Sequence, residues 1–265
     1  MSDRVYYWGE MSGEENTTDS LRRVAGFGRA PEPGPVPDAC ERFLLGHCDP
    51  YVRAELDAIK FYRTFRPGQE IIAAGEETEF VGCVVGGVVR LTKSLADGRH
   101  QTVGLCFPTQ FIGRPLRSTA TYDAAALTPV RLCLFSRRRF DGILKNSKSL
   151  ERRVLEIMLD KLDEARDWLL VLGRKTAQEK VATFLVAMAR REASLRAAEP
   201  ANDLIFDLSL TREAIADYLG MTTESVSRHL TYLRSLGVIE MLGPWRVNVP
   251  SFRALLDAAG GDCIE

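Results

Sequence analysis

Ala214-Ile215-Ala216-Asp217-Tyr218-Leu219-Gly220-Met221-Thr222-Thr223-Glu224-Ser225-Val226-Ser227-Arg228-His229-Leu230 reads as two helices joined by a sharp turn. Ala216 lets the helices approach closely, and Gly220 supplies the backbone freedom that the turn requires. Thr222 is placed to cap the second helix by accepting a backbone N–H bond. Val226, Leu230 and Leu233 recur at helical spacing and form the face to be buried. Glu224, Ser227, Arg228 and Thr231 lie on the opposite face.

Outward from this stretch, Thr176 to Glu192 reads as a helix and Ile205 to Leu208 as a short strand. The two central helices run from Thr211 to Leu219 and from Thr223 to Leu236. A hairpin-like pair, Val238 to Leu242 and Arg246 to Val249, then folds around Gly243-Pro244. Helix, turn, helix and hairpin is the order of a winged helix-turn-helix. A polar stripe on the second helix suits the major groove of DNA, where each base pair shows its own donor and acceptor pattern. Arg228 can donate two bonds to a guanine, Glu224 can accept from a cytosine amino group, and Ser227 can meet a base edge or a thymine methyl. Thr222 and Thr223 complete the DNA-facing set, with Arg212, Arg246 and Lys175 in reach of phosphates. The alternative for the stripe alone is a solvated face with Glu224 and Arg228 as an ion pair; turn, cap and wing together favour DNA. Residues 174–253 carry 11 Lys/Arg against 9 Asp/Glu, a weak surplus for a nucleic-acid binder. A dimer would double the contacts, and affinity should fall with salt as counterions are released.

Upstream, a helix of about Ser147 to Gly173 carries two apolar stripes. Leu155, Met158, Leu162, Ala165, Leu169 and Leu172 form an uninterrupted seam of alternating three- and four-residue steps, the pattern of a dimer contact. Leu150, Val154, Ile157 and Trp168 fall on a neighbouring stripe suited to the protomer's own core. The alternative is one broad amphipathic helix buried within a single molecule. From Phe61 to Phe140, short apolar segments alternate with turn residues such as Pro67-Gly68, Gly86-Gly87 and Asp97-Gly98, the signature of an all-β unit. Residues 1–37, rich in Gly and with Pro31, Pro33, Pro35 and Pro37 at every second position, predict a flexible or loosely docked extension.

The 265 residues suit about two small folding units, with 45% apolar and 27% charged residues. No apolar stretch approaches the roughly 20 residues of a membrane span, and no secretory signal is visible. A cytoplasmic protein is the expectation, its six cysteines acting as thiols or metal ligands rather than disulfides. His47, His100 and His229 lie too far apart in sequence for a local metal cluster, and the net charge of −1 gives no global pull toward nucleic acid.

The segments Pro67-Gly-Gln-Glu-Ile-Ile-Ala-Ala-Gly75, Gly86-Gly-Val-Val-Arg-Leu91, Asp97-Gly-Arg99 and Phe107-Pro-Thr-Gln-Phe-Ile-Gly113 resemble the β-roll of the CRP/FNR transcription regulators. The long helix and winged helix-turn-helix follow in that family's order, so the resemblance spans about residues 50–253. It implies an α+β fold: an N-terminal β-roll (a cyclic-nucleotide-binding-like jelly roll), a long dimerisation helix and a C-terminal winged helix-turn-helix. The corresponding divisions are 1–37 extension, 38–146 β-roll, 147–173 dimerisation helix, 174–253 DNA-binding domain and 254–265 tail. Glu224-Ser-Val-Ser-Arg228 looks like the E-x-x-S-R recognition element of the FNR and FixK branches, which implies palindromes of TTGAT-type half-sites. Glu224 and Arg228 would then read the G·C pair and Ser227 a neighbouring T. Homodimerisation, contact with RNA polymerase and a role, chiefly as activator, in low-oxygen, redox or nitrogen-oxide-linked energy metabolism follow from the same resemblance.

For the signal, the resemblance points in two directions. Members that bind cAMP place a Glu after the F-x-G turn and an Arg-Ser pair later; here Gly113 is followed by Arg114-Pro115-Leu116, and the later segment reads Tyr122-Asp-Ala-Ala125, which argues against cAMP. Oxygen-sensing members hold a [4Fe–4S] cluster on three N-terminal cysteines and one on a late β-roll strand. Cys133 matches the last, Cys48 the third and Cys40 an earlier one, with no evident fourth ligand; Asp38, Asp49, His47 and Cys106 are the candidates. Cys83 and Cys106 read as core residues, and Cys263 as exposed. Thiol redox sensing, another effector or no effector are the alternatives. Oxygen-switched members carry an acid in the helix seam where this chain has Ala165, which implies a dimer that persists without a cofactor. The competing reading of the whole chain is a non-DNA effector-binding β-roll module of a signalling assembly. No catalytic constellation is visible, so no enzyme is expected.

Overall fold

The computed structural model describes Leu44, Gly46, residues 48–196 and residues 198–261. Cys40, His47, Cys263 and the expected extension over 1–37 lie outside the described residues.

Asp49 opens the first helix among the described residues, α1 (Pro50–Ile59), by accepting from Val52 N at 3.0 Å, and Pro50 fits its first turn, where an N–H would have no helical partner. Eight strands follow: β1 (Lys60–Phe65), β2 (Glu70–Ile72), β3 (Phe80–Gly86), β4 (Val89–Ser94), β5 (His100–Cys106), β6 (Phe111–Ile112), β7 (Asp123–Ala126) and β8 (Val130–Ser136). They form two four-stranded antiparallel sheets, ordered β1-β8-β3-β6 and β2-β7-β4-β5. The Asp97-Gly98 hairpin joins β4 to β5 as expected, with Gly98 at φ 87° and its N–H on Leu95 O.

Strand β8 shows why the unit is two-layered. Leu132 and Leu134 join Phe65, Val84, Val89 and Ala124 between the sheets. The alternate residues Cys133 and Phe135 face the other way, into a cluster with Leu56, Phe140, Leu144, Leu150, Val154 and Ile157. Buried on both faces, β8 reads as a continuous apolar run. The second cluster is roofed by α1, by α2 (Arg137–Asn146) and by the start of α3 (Lys148–Arg174). Helix α3 begins and ends within a residue of the expected bounds, whereas α1, α2, β1, β6 and β7 are not among the elements expected from the sequence.

Along α3 the two stripes separate. Leu150, Val154, Ile157, Trp168 and Val171 are buried. Leu155, Leu162 and Leu169 are 57%, 45% and 71% exposed, and Leu159, Ala165 and Leu170 are exposed beside them. Met158 and Leu172 are half-buried, and Met158 packs on the β-roll cluster, so the exposed stripe is broader than the expected seam and leaves Met158 partly inside.

The remainder is α4 (Ala177–Leu195), β9 (Leu204–Asp207), α5 (Arg212–Leu219), α6 (Thr223–Ser235), β10 (Glu240–Met241), β11 (Arg246–Val249) and α7 (Phe252–Ala258). Thr176 and Glu179 form a reciprocal capping box at the start of α4. The wing is three-stranded, ordered β10-β11-β9. Helix α7 crosses the expected 253/254 division: Leu255 is fully buried in the core of this domain, so residues 254–258 are part of it rather than a tail. Among the described residues no helix is long and apolar enough to cross a membrane.

Candidate nucleic-acid interface

The α5–α6 junction is built by local rules. Thr211 caps α5 by accepting from Ala214 N at 3.1 Å. At its other end Gly220 adopts φ 62°, ψ 45° and donates its N–H to Ala216 O, the left-handed closure that a side-chain-bearing residue resists. Thr222 then caps α6 by accepting from Ser225 N at 3.2 Å. Val226, Leu230 and Leu233 seat the helix in a core that includes Ile215, Leu219, Val247 and Val249. Seating those three residues turns the opposite stripe to solvent.

Thr222, Thr223, Glu224, Ser227 and Arg228 are all exposed. Among the described residues no ion pair joins Glu224 to Arg228, so the solvated-pair alternative is not what the side chains adopt. Thr231 donates to Ser227 O at 3.0 Å and so uses its proton within the helix. Tyr232 and Arg234, both exposed, flank the stripe by helical spacing; the same periodicity could have included them.

The phosphate-reaching set is less uniform than expected. Arg246 is exposed on β11, 3.7 Å from the carboxylate of Asp207 on β9. Arg212 is half-buried, its Nη1 is enclosed without a hydrogen-bond partner, and burial lowers its pKa. Lys175 is committed inside the protomer, donating to Ala259 O at 2.7 Å and Thr183 Oγ1 at 3.0 Å, which removes it as a phosphate ligand.

Of the expected cluster ligands, Cys133 is fully buried on β8 and Cys48 is half-buried beside the same apolar cluster. Cys48 Sγ donates to Leu44 O at 3.4 Å, and burial, reinforced by Asp49, pushes its pKa up. Cys83 is the cross-strand neighbour of Cys133 and shares this cluster, so it is a core residue, as is Cys106 between the sheets. Cys48 and Cys133 fit two soft thiolate corners in kind, but among the described residues no group of three or more His, Cys, Asp or Glu could hold a metal ion.

Residues 62–147 match the cyclic nucleotide-binding domain family, and residues 179–258 match the Crp-like helix-turn-helix domain family. The transcriptional activator protein FnrL of Cereibacter sphaeroides is 45% identical over 221 residues, covering 83% of this chain and 89% of that protein. The nitrogen fixation regulation protein FixK of Bradyrhizobium diazoefficiens is 37% identical over 178 residues, 67% of this chain and 73% of its own. The solved structure of FixK2 from Bradyrhizobium japonicum superposes with a TM-score of 0.68 at 30% identity, covering 76% of this chain and 97% of that one. With a β-roll, a long helix and a helix-turn-helix in this order, the chain belongs to the CRP/FNR family and is a transcriptional activator of its FNR/FixK branch.

Proposed function

We propose that the chain acts in the cytoplasm as a homodimer that lays two α6 helices into successive major grooves of a palindrome with TTGAT-type half-sites. The observation that carries this is the simultaneous exposure of two surfaces: the apolar stripe Leu155, Leu159, Leu162 and Leu169 on α3, and the Glu224, Ser227 and Arg228 stripe on α6. The first suits a second copy, because an apolar stripe along about 21 Å of helix, from Leu155 to Leu169, gains by leaving water. The second suits base edges, with Arg228 toward guanine and Glu224 toward the paired cytosine. Contact with RNA polymerase at bound promoters and control of low-oxygen, redox or nitrogen-oxide-linked energy genes belong to the same reading and rest on the branch.

The sensing side of the proposal is a [4Fe–4S] cluster on Cys40, Cys48 and Cys133 with one further ligand, and not a cyclic nucleotide. Its support is that Cys48 and Cys133 border one apolar cluster. Anaerobic purification with an absorbance spectrum and iron and sulfide assays tests it; a colourless, iron-free dimer that binds its operator would remove it. The DNA reading is tested by fluorescence anisotropy on a TTGAT-N4-ATCAA duplex. Replacing both G·C pairs should weaken binding by about 1–3 kcal/mol at each, and equal affinity for the two duplexes would overturn it.

A further inference from the structure

The turn between β5 and β6 touches both the long helix α3 and the first helix of the DNA-binding domain. It is a stiff piece of backbone. Phe107 N donates to Gln110 Oε1 at 3.0 Å and Gln110 N to Phe107 O at 3.1 Å. Thr109 N and Val84 O, and Val84 N and Gln110 O, bond at 2.9 Å each, with Thr109 held at φ 76°. On one side Gln110 Nε2 lies 3.5 Å from Glu164 on α3, the seam-bearing helix. On the other, Arg191 of α4, the first helix of the DNA-binding domain, closes over the turn. Its guanidinium carbon sits 4.2 Å from the centre of the Phe107 ring, and Nη2 donates to Pro108 O at 2.6 Å.

Both contacts are directional. A cation over a ring face and a donor aimed at a carbonyl specify an angle, whereas apolar packing alone tolerates sliding. Burial pulls the Arg191 pKa down to about 10, with Glu164 opposing, so the side chain remains charged at neutral pH. A second tether lies close to the reading head itself: Gln101 Nε2 on β5 donates to Asp217 O at 3.0 Å, and Arg90 on β4 lies 3.7 Å from the Asp217 carboxylate. Asp217 is on α5, three residues before the Gly220 turn that launches α6.

We propose that Arg191 is a positioning residue: locked on the Phe107–Gln110 turn, it sets the angle at which each protomer presents α6, and therefore the half-site spacing that the dimer accepts. This rests on the homodimer reading above. DNA makes the angle matter, since each added base pair moves a half-site by about 3.4 Å and turns it by about a tenth of a revolution.

The test uses the full chain and duplexes of TTGAT-Nn-ATCAA with the spacer shortened or lengthened by one base pair around N4, plus a duplex with a single half-site, read by anisotropy. Wild type should favour N4 by about tenfold over its neighbours, and Arg191→Met, which keeps the stem and removes the guanidinium, should reduce that preference to about threefold or less. Single half-site affinity should stay within about twofold of wild type, and Arg191→Lys should restore part of the preference. An unchanged spacing profile in Arg191→Met would overturn the inference. So would equal losses on every duplex, single half-site included, because that is a folding defect. Wild type binding the palindrome no more tightly than the single half-site would instead break the homodimer reading, and this inference with it.

Discussion

Replacing Ala165 by aspartate puts a carboxylate into the exposed stripe of α3, between Leu162 and Leu169. In one protomer it stays hydrated and is nearly harmless. In the proposed dimer two such carboxylates meet among leucines. The nearby cations on the helix are engaged: Arg166 bonds Asp163 at 2.8 Å, and Lys161 lies 3.6 Å from Glu164. Desolvating an unpaired charge costs several kcal/mol in a dry interior; at the rim of a seam about 3 kcal/mol for the pair is a fair figure, or about a hundredfold in dimer affinity. The sign with pH follows. Desolvation and the facing like charge both raise the carboxyl pKa in the dimer above its monomer value. The penalty is therefore absent at pH values below the ordinary carboxylate range and grows as pH rises through and above it. Sedimentation velocity across a micromolar dilution series should show Ala165→Asp dissociating at pH 7 and reassociating near about pH 4, with Ala165→Asn close to wild type. If Ala165→Asp keeps the wild-type dimer constant, or wild type is itself a monomer at micromolar concentration, the stripe is not the contact.

Arg228→Ala should lose about 1–3 kcal/mol of discrimination at the G·C pair while random-duplex affinity changes little; equal losses on both would make Arg228 a phosphate contact. Thr222→Ala removes the hydroxyl that accepts from Ser225 N and should lower unfolding free energy by about 1 kcal/mol in urea titration. An unchanged midpoint and slope would show that the cap contributes nothing. The Thr176 backbone N–H, and then its hydroxyl, holds the Glu179 pKa below its ordinary value. A lowered folded pKa means that this contribution is present above the ordinary carboxylate range and fades as pH falls through it. Glu179→Gln should thus flatten the acid limb of stability below about pH 5, and an identical limb would count against the box.

What sequence reading found was mostly local. The Gly220 turn, the Thr222 cap and the buried row Val226, Leu230, Leu233 are written within 14 residues, where spacing and side-chain chemistry decide the outcome. What it missed depends on distant partners. Helix α2 has only Phe140 and Leu144 buried, amid Arg-Arg-Arg and Gly142, and is held by the β-roll cluster rather than by its own pattern. Strand β7, Asp-Ala-Ala-Ala, has low strand propensity and exists because small residues fit between β2 and β4. Lys175 reads as a free cation until the Ala259 carbonyl, 84 residues away, comes into reach. Arg191 likewise meets Pro108 across 83 positions.

These engaged cations also bear on how so nearly neutral a domain can bind DNA. Residues 174–253 have a small positive surplus, and much of even that is turned inward or paired: Lys175 on Ala259, Arg191 on Pro108, Arg196 on Glu192, Arg246 beside Asp207 and Arg253 on Asp257. On α6, Arg228 and Arg234 carry no ion pair among the described residues. A protein with few phosphate-directed charges gains little from counterion release and binds random DNA poorly. In the proposed dimer, affinity would then come from base edges and from engaging two half-sites at once, since a tethered second contact multiplies the first only when the geometry fits. If the chain dimerises as proposed, a weakly basic surface makes the α6 stripe, the α3 seam and the angle between them the three quantities on which operator choice depends.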